Sequence, residues 1–330
     1  MSEISAAIGF NLIVISPTIA LVGTALVLLF FTITIESNEI VKKSITFLGM
    51  LITSFCVFLK FGLFFENGVS SYFTQKILLD EFSLFGNVLI SLILLFNFLP
   101  IWDSSKQLKE KTTEAIILTL MSASGFMLMV DSENLIMLFI GLEIGSISLY
   151  ALAGLNRVDK LSNEASLKYF LLGSLASCIL IYGVSLVYVS FSVFSVYNFA
   201  LGIAYVGPDS VPLTTSIGVL LIFIGLLFKI AAAPFQSWAP DVYQGSPTGY
   251  VGFMSSIAKV SSFIVIARLC LVSINFIIED FNIFFLIVII SSALIGSLFA
   301  SIQEDLKRLL AYSGVVQSGF ILSGIVSGIN

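Results

Sequence analysis

A chain of 330 residues in which 58% are hydrophobic and only 11% are charged is far from a soluble domain, which carries about a quarter charged residues. With a net charge of −5, this composition excludes a soluble protein, a disordered chain and a nucleic-acid binder. The absence of histidine removes the commonest metal ligand and the ordinary near-neutral proton shuttle.

The N-terminal MSEISAAIGF is not Arg-rich and resembles neither a transit peptide nor a signal peptide. Beyond it, apolar runs alternate with polar punctuation. A helix needs about 20 apolar residues to cross the hydrocarbon core. Ten runs meet that length: 14–36, 44–65, 82–102, 114–131, 133–154, 165–190, 214–239, 248–271, 281–301 and 307–328. They are too long and continuous for a transmembrane β-barrel, whose strands are short and alternating. The expected fold class is an all-α polytopic membrane protein with about ten transmembrane helices. Residues 66–81, mixing Gly, Ser, Thr and charge, read as a short hairpin or loop. Residues 191–213 read as a second long connection with a turn at Gly207-Pro208-Asp209. Cys56, Cys178 and Cys270 sit inside apolar runs without CxxC spacing, and three cysteines cannot all pair.

Sidedness follows from Lys and Arg. The loops after helices 1, 3, 5 and 9 hold Lys42, Lys43, Lys106, Lys109, Lys111, Arg157, Lys160, Lys307 and Arg308, and Lys168 enters the sixth helix from the same side. The opposite loops hold Lys76, with Lys60 and Arg268 placed to snorkel there. Acids dominate that face: Glu66, Asp80, Glu81, Asp131, Glu133, Asp209, Glu279 and Asp280. The positive-inside rule then puts the basic loops in the cytoplasm or matrix and both chain ends outside.

Three charges fall near the middle of their helices, where each costs at least about 2.5–3.5 kcal/mol. Glu143 follows Gly141 and precedes Gly145, a small-xxx-small pair that lets another helix approach. It reads as a carboxylate facing protein, in a proton path or a structural ion pair. Lys229 precedes Ala231-Ala232-Ala233-Pro234. The proline clashes with the carbonyl of residue 230 and breaks the helix there. The exposed carbonyls of a broken helix belong inside protein or beside water, so Lys229 marks either a hydrated path or an incidental kink. Lys259 shares a helical face with Ser255, Ser256 and Ser262, which reads as a water-holding stripe or a serine-lined helix contact. A buried lysine paired with a movable carboxylate is an electrostatic switch that needs no cofactor. The loop Trp238 to Thr248, with Pro240, Gly245 and Pro247, reads as a compact rigid turn.

Several stretches in fixed order carry a resemblance. They are Gly141-Leu142-Glu143-Ile144, Asn163 to Gly173 around Lys168, Phe228-Lys229 to Ala233-Pro234-Phe235, Trp238-Ala239-Pro240-Asp241-Val242-Tyr243 to Thr248, and Asp305-Leu306-Lys307-Arg308 to Ser313. From about residue 112 to 325 the chain resembles the subunit 2 family of respiratory complex I, NADH:ubiquinone oxidoreductase, related to Mrp-type cation/proton antiporters. The resemblance implies an antiporter-like fold of inverted five-helix repeats. Residues 1–112 would form three N-terminal helices, 113–272 a complete first repeat, and 273–330 the first two helices of the second. It also implies proton-translocating roles for Glu143, Lys229 and Lys259, and a lesser one for Lys168. Gln236 stands where the family usually has a histidine.

The resemblance implies a share in an H+-translocating NADH:ubiquinone reductase. Proton translocation would be coupled to electron transfer through the buried Glu and Lys residues. No redox site or cofactor is expected in this chain; FMN, iron–sulfur clusters and ubiquinone would lie on other subunits. The expected partners are other membrane-arm subunits, lipids and a second chain supplying the remaining helices, with no nucleic acid. An Mrp-type Na+/H+ antiporter subunit and a non-pumping scaffold are the alternatives. Phe- and Ile-rich composition points to an AT-rich organelle genome, hence the mitochondrial inner membrane with the N-terminus toward the intermembrane space.

Overall fold

The computed structural model describes residues 2–34, 39–107, 112–207, 210–273 and 281–328. Lys109, Lys111, Asp209, Glu279, Asp280 and Pro208 of the expected 207–209 turn lie outside them, as does the side chain of Lys106. The described residues form twelve α-helices and one β-hairpin.

Helices α1 (Ser2–Thr34), α2 (Glu39–Asn67) and α3 (Glu81–Gln107) cover the first stretch. Then come α4 (Thr112–Asp131), α5 (Leu135–Ala153), α6 (Lys160–Phe191), α7 (Val196–Val206), α8 (Leu213–Lys229), α9 (Trp238–Gly245) and α10 (Thr248–Arg268). The last two are α11 (Asn282–Ser301) and α12 (Leu306–Ser327). Each of the ten expected runs overlaps a helix, and nine helices are long and apolar enough to cross a membrane among the described residues. The tenth run, 214–239, is not one helix. It stops at Lys229 after 17 residues and resumes as the short α9. The ring of Pro234 has no room over the carbonyl of residue 230, so the helix cannot run through it.

The expected hairpin or loop at 66–81 is a hairpin between the end of α2 and the start of α3, β1 (Ser70–Tyr72) antiparallel to β2 (Ile77–Leu79) with Ser70 opposite Leu79. Ile77 and Leu79 are buried with Val14, Leu63 and Leu84, which fastens the hairpin over the ends of α1, α2 and α3. The 191–213 connection is more ordered than expected. It contains α7, started by Ser195, whose hydroxyl accepts from the Asn198 N–H. Other helix starts are set by side chains that satisfy free N–H groups. Asn134 caps α5, Asp159 caps α6, and Asp305 caps α12 by accepting from Lys307 and Arg308.

The core is built by α3, α4, α5, α8 and α10, with α6 packed on α5 and α8. Glycine allows the closest approach. A Cβ on Gly141 would stand 2.5 Å from the Met129 N, and one on Gly125 would strike the backbone of Gly145. The expected small-residue contact is therefore the α4–α5 seam. Phe30, Phe58, Phe65, Phe96, Leu298 and Phe320 point outward, as helices bathed in acyl chains require.

Candidate functional site

Lys229 closes α8 and is 2% exposed. Its ammonium donates to the Ser146 hydroxyl at 3.0 Å and the Tyr150 hydroxyl at 2.9 Å. The Tyr150 ring lies with its centroid 5.4 Å from the same Nζ. Both hydroxyls come from α5, at i+3 and i+7 from Glu143, so carboxylate and ammonium address one helical stripe. They are not a contact ion pair. Glu143 is half-buried, and its Oε1 is buried with no hydrogen-bond partner among the described residues. The expected Glu143–Lys229 pair is thus not in contact: Lys229 is held by two hydroxyls of the helix that carries Glu143. Gly141 and Gly145 face α4, and Glu143, two residues away, points elsewhere.

The broken segment after Lys229 is held by side chains. Ala231 takes a positive φ of 55°, which turns the chain, and the Ala233–Pro234 peptide is cis. Ser318 of α12 donates to the Ile230 carbonyl at 2.8 Å, and Ser291 of α11 to that of Ala233 at 3.1 Å. Ser292 accepts from the Ala233 N–H at 2.9 Å. The Trp238 indole donates to the Phe228 carbonyl at 3.1 Å. That indole stacks on Tyr169 at 4.6 Å, and Tyr169 meets Tyr150 edge-on at 4.7 Å. The break therefore sits inside protein rather than against lipid, as a freed backbone must.

Lys259 donates to the Gly314 carbonyl of α12 at 2.8 Å. Beside it, between α10 and α12, is a cavity of about 520 Å³ lined by Ser255, Ser256, Lys307, Ser313, Gln317 and Ser318 among others. Two of the three expected serines face it. Ser262 does not: it is buried with its hydroxyl unpartnered among the described residues. Ser318 Oγ also stands 2.8 Å from the Gly314 carbonyl, so its one proton can serve either carbonyl in turn. Ser318 thus stands between the backbone that follows Lys229 and the Gly314 carbonyl that holds Lys259. The cavity ends at Ser318 and does not include Lys229. The hydrated path expected at Lys229 and the water-holding stripe expected at Lys259 are not one open space: the cavity beside Lys259 stops short of Lys229.

Two further spaces open at the basic end. One of about 430 Å³ is lined by Asn156, Asp159, Gln244 and Ser246, and shares Thr248 and Lys307 with the Lys259 cavity. A groove of about 680 Å³ between α5 and α6 runs from Arg157 and Asn163 to Tyr150.

Lys168 is not part of the buried set. Its side chain is 41% exposed and pairs with Glu164 at 2.7 Å and Asp241 at 2.7 Å. Asp241 in turn binds Arg308 at 2.6 Å. Burial alone would raise the Asp241 carboxyl, but hydrogen bonds from Lys168 and Arg308 outweigh it and hold the group below the usual carboxylate range.

Sequence reasoning missed a buried charge. Lys60, expected to snorkel, is fully buried and binds both Asp131 oxygens at 2.8 and 2.9 Å, while Asn87 donates to Asp131 at 2.6 Å. Arg268 grips Asp80 through two bonds of 2.6 and 2.9 Å and donates to the Val130 carbonyl at 2.7 Å. The available signal was the setting of Lys60 in Phe58-Leu59-Lys60-Phe61, several residues short of the helix end.

Comparisons with known proteins fit this geometry. The family described as NADH:quinone oxidoreductase/Mrp antiporter, transmembrane, matches residues 132–330. NADH-quinone oxidoreductase subunit N of Flavobacterium psychrophilum is 35% identical over 260 residues, covering 79% of this chain and 56% of the relative. The chain thus spans little more than half the length of this curated relative. A chain of respiratory complex I from Thermus thermophilus is 27% identical with a TM-score of 0.77, covering 94% of this chain and 64% of that one. A chain of the Mrp complex from Dietzia sp. DQ12-45-1b has a TM-score of 0.77 at 19% identity, covering 94% of this chain and 58% of its own; this is a likeness of fold. On the match over residues 132–330, the chain belongs to the NADH:quinone oxidoreductase/Mrp antiporter transmembrane family.

Proposed function

We propose that this chain is a proton-translocating membrane-arm component of a respiratory complex I, with Lys229 and Lys259 as proton carriers and Glu143 as the charge that biases Lys229. The observation that carries the reading is Lys229. A lysine with 2% exposure at a broken helix, held only by two hydroxyls among the described residues, is an expensive arrangement for a purely structural cation. Movement of Glu143, or of a charge facing it, would shift where the Lys229 proton is most stable. The proton would travel from Lys229 to the cavity at Lys259 on water admitted beside Ser318, whose hydroxyl both donates and accepts and lines that cavity. Moving one charge across 100 mV costs about 2.3 kcal/mol. A hydrogen bond to a charged group is about 1.5–3 kcal/mol, so making or breaking the Tyr150 and Ser146 contacts has the required scale. Lys168 takes a lesser, positioning part through Asp241.

NADH oxidation and quinone reduction belong, in this reading, to other subunits, which carry the flavin, iron–sulfur clusters and ubiquinone. The partners are membrane-arm subunits and lipid. The remaining helices of the second repeat correspond to the part of the relatives that residues 1–330 do not span, on this polypeptide or a second one. Composition favours the mitochondrial inner membrane with the N-terminus in the intermembrane space. The bacterial source of the relatives favours a bacterial cytoplasmic membrane in the same orientation.

Replacing Lys229 with Ala in the assembled complex should abolish most proton pumping while electron-transfer subunits still co-purify. Pumping at the wild-type rate removes Lys229 from the path. An Mrp-type antiporter is the second reading, favoured by the fold likeness; there, flavin and iron–sulfur subunits would be absent from the purified assembly.

A further inference from the structure

The acidic end of the bundle holds buried chemistry that the two lysines leave unused. Glu133 lies in the short turn between α4 and α5 and is 3% exposed. Its backbone is fixed from two sides: its N–H donates to the Lys76 carbonyl at 3.1 Å, and its carbonyl accepts from the Val196 N–H at 3.0 Å. Its Oε1 accepts from the Ser195 hydroxyl at 2.7 Å. Its Oε2 is buried with no hydrogen-bond partner among the described residues.

The charges around it are committed to other partners. On α4 and α2, Asp131 and Lys60 bind each other. At the end of α10, Arg268 is bound to Asp80, which precedes α3, and donates to the Ser132 carbonyl at 3.2 Å. Lys76 on the hairpin turn and Glu81 at the start of α3 are exposed, and α7 presents Tyr197. No cation forms an ion pair with Glu133 among the described residues. A buried carboxylate in that state is far costlier than the neutral acid. Burial pushes the Glu133 carboxyl above its ordinary range, with the Ser195 hydrogen bond and Arg268 opposing the shift only in part.

A cavity lies behind the backbone that holds it, and Glu133 itself is not among the residues that line it. This cavity, of about 390 Å³, opens among β2, the start of α3, α7 and Arg268. Val196 and Arg268 both line it. Val196 is bonded to Glu133, and Arg268 to the neighbouring Ser132.

We propose that Glu133 is a proton-binding site, a carboxylic acid that holds its proton on Oε2, behind the backbone that lines the cavity beside Arg268. Ser195 holds Oε1 as the acceptor and so leaves Oε2 for the proton. This site does not depend on the part given to Lys229, and its test does not measure pumping.

The test is pH-jump infrared difference spectroscopy on the assembled complex in membranes. A protonated-carboxyl band that titrates above the ordinary glutamate range is expected, and is lost in Glu133→Gln. In Ser195→Ala its titration midpoint should move up by about one pH unit, because the hydroxyl that stabilises the ionised form is gone. A band of unchanged amplitude in Glu133→Gln, or a wild-type midpoint in Ser195→Ala, overturns the proposal. If Glu133→Gln fails to assemble, the Ser195→Ala midpoint decides by itself.

Discussion

Lys229 of α8 and Tyr150 of α5 are joined by a 2.9 Å hydrogen bond from ammonium to phenol oxygen. The bond ties the broken helix to the stripe that carries Glu143, seven residues before Tyr150. Tyr150→Phe and Ser146→Ala each delete one acceptor of a buried cation, at about 1.5–3 kcal/mol per bond. Each should slow proton pumping roughly tenfold, and the double variant more. Proteoliposome pumping alongside a native gel separates this from lost assembly.

Gly314 offers a finer probe. A Cβ there would stand 2.7 Å from the Lys259 Nζ, and the far end of that side chain can swing away. Gly314→Ala should leave α12 as stable or better, because alanine favours a helix by about 1 kcal/mol over glycine. It should lower pumping by displacing Lys259 from the Gly314 carbonyl. A thermal melt paired with a pumping assay checks both halves.

The Lys60–Asp131 pair is expected to matter for assembly. Lys60→Met leaves a buried carboxylate without its cation, a loss of about 3–5 kcal/mol. Adding Asp131→Leu removes the orphan and should restore most of the lost complex. The yield of assembled complex in the two variants measures the difference.

Asp241 gives a pH dependence. Its folded carboxyl lies below the ordinary range, held there against its burial by Lys168 and Arg308. The stability it contributes is therefore present above its unfolded pKa, about 3.9, and is lost as pH falls through the lower folded value. Asp241→Asn should loosen α9 at neutral pH and differ little from wild type in strong acid. The emission of Trp238, which begins α9, reports the docking at each pH.

The residues themselves specified a good deal. Ten apolar runs located the membrane-length helices and α8, because an apolar run long enough to cross lipid has few other stable homes, whereas α7 and the separate α9 were not legible. Glu143, Lys229 and Lys259 stood out because a charge within an apolar run needs a reason. Pro234 announced the break after Lys229, since a ring without an N–H cannot continue a helix. The motif order from Gly141 to Ser313 carried the family. What only the tertiary structure decided is who meets whom. That Lys229 rests on hydroxyls rather than on Glu143, that Lys168 is half in solvent, and that Lys60 and Arg268 are paired acid for base all depend on how separate helices rotate against one another. Spacing along one helix assigns a side chain to a face, but only packing fixes what that face touches.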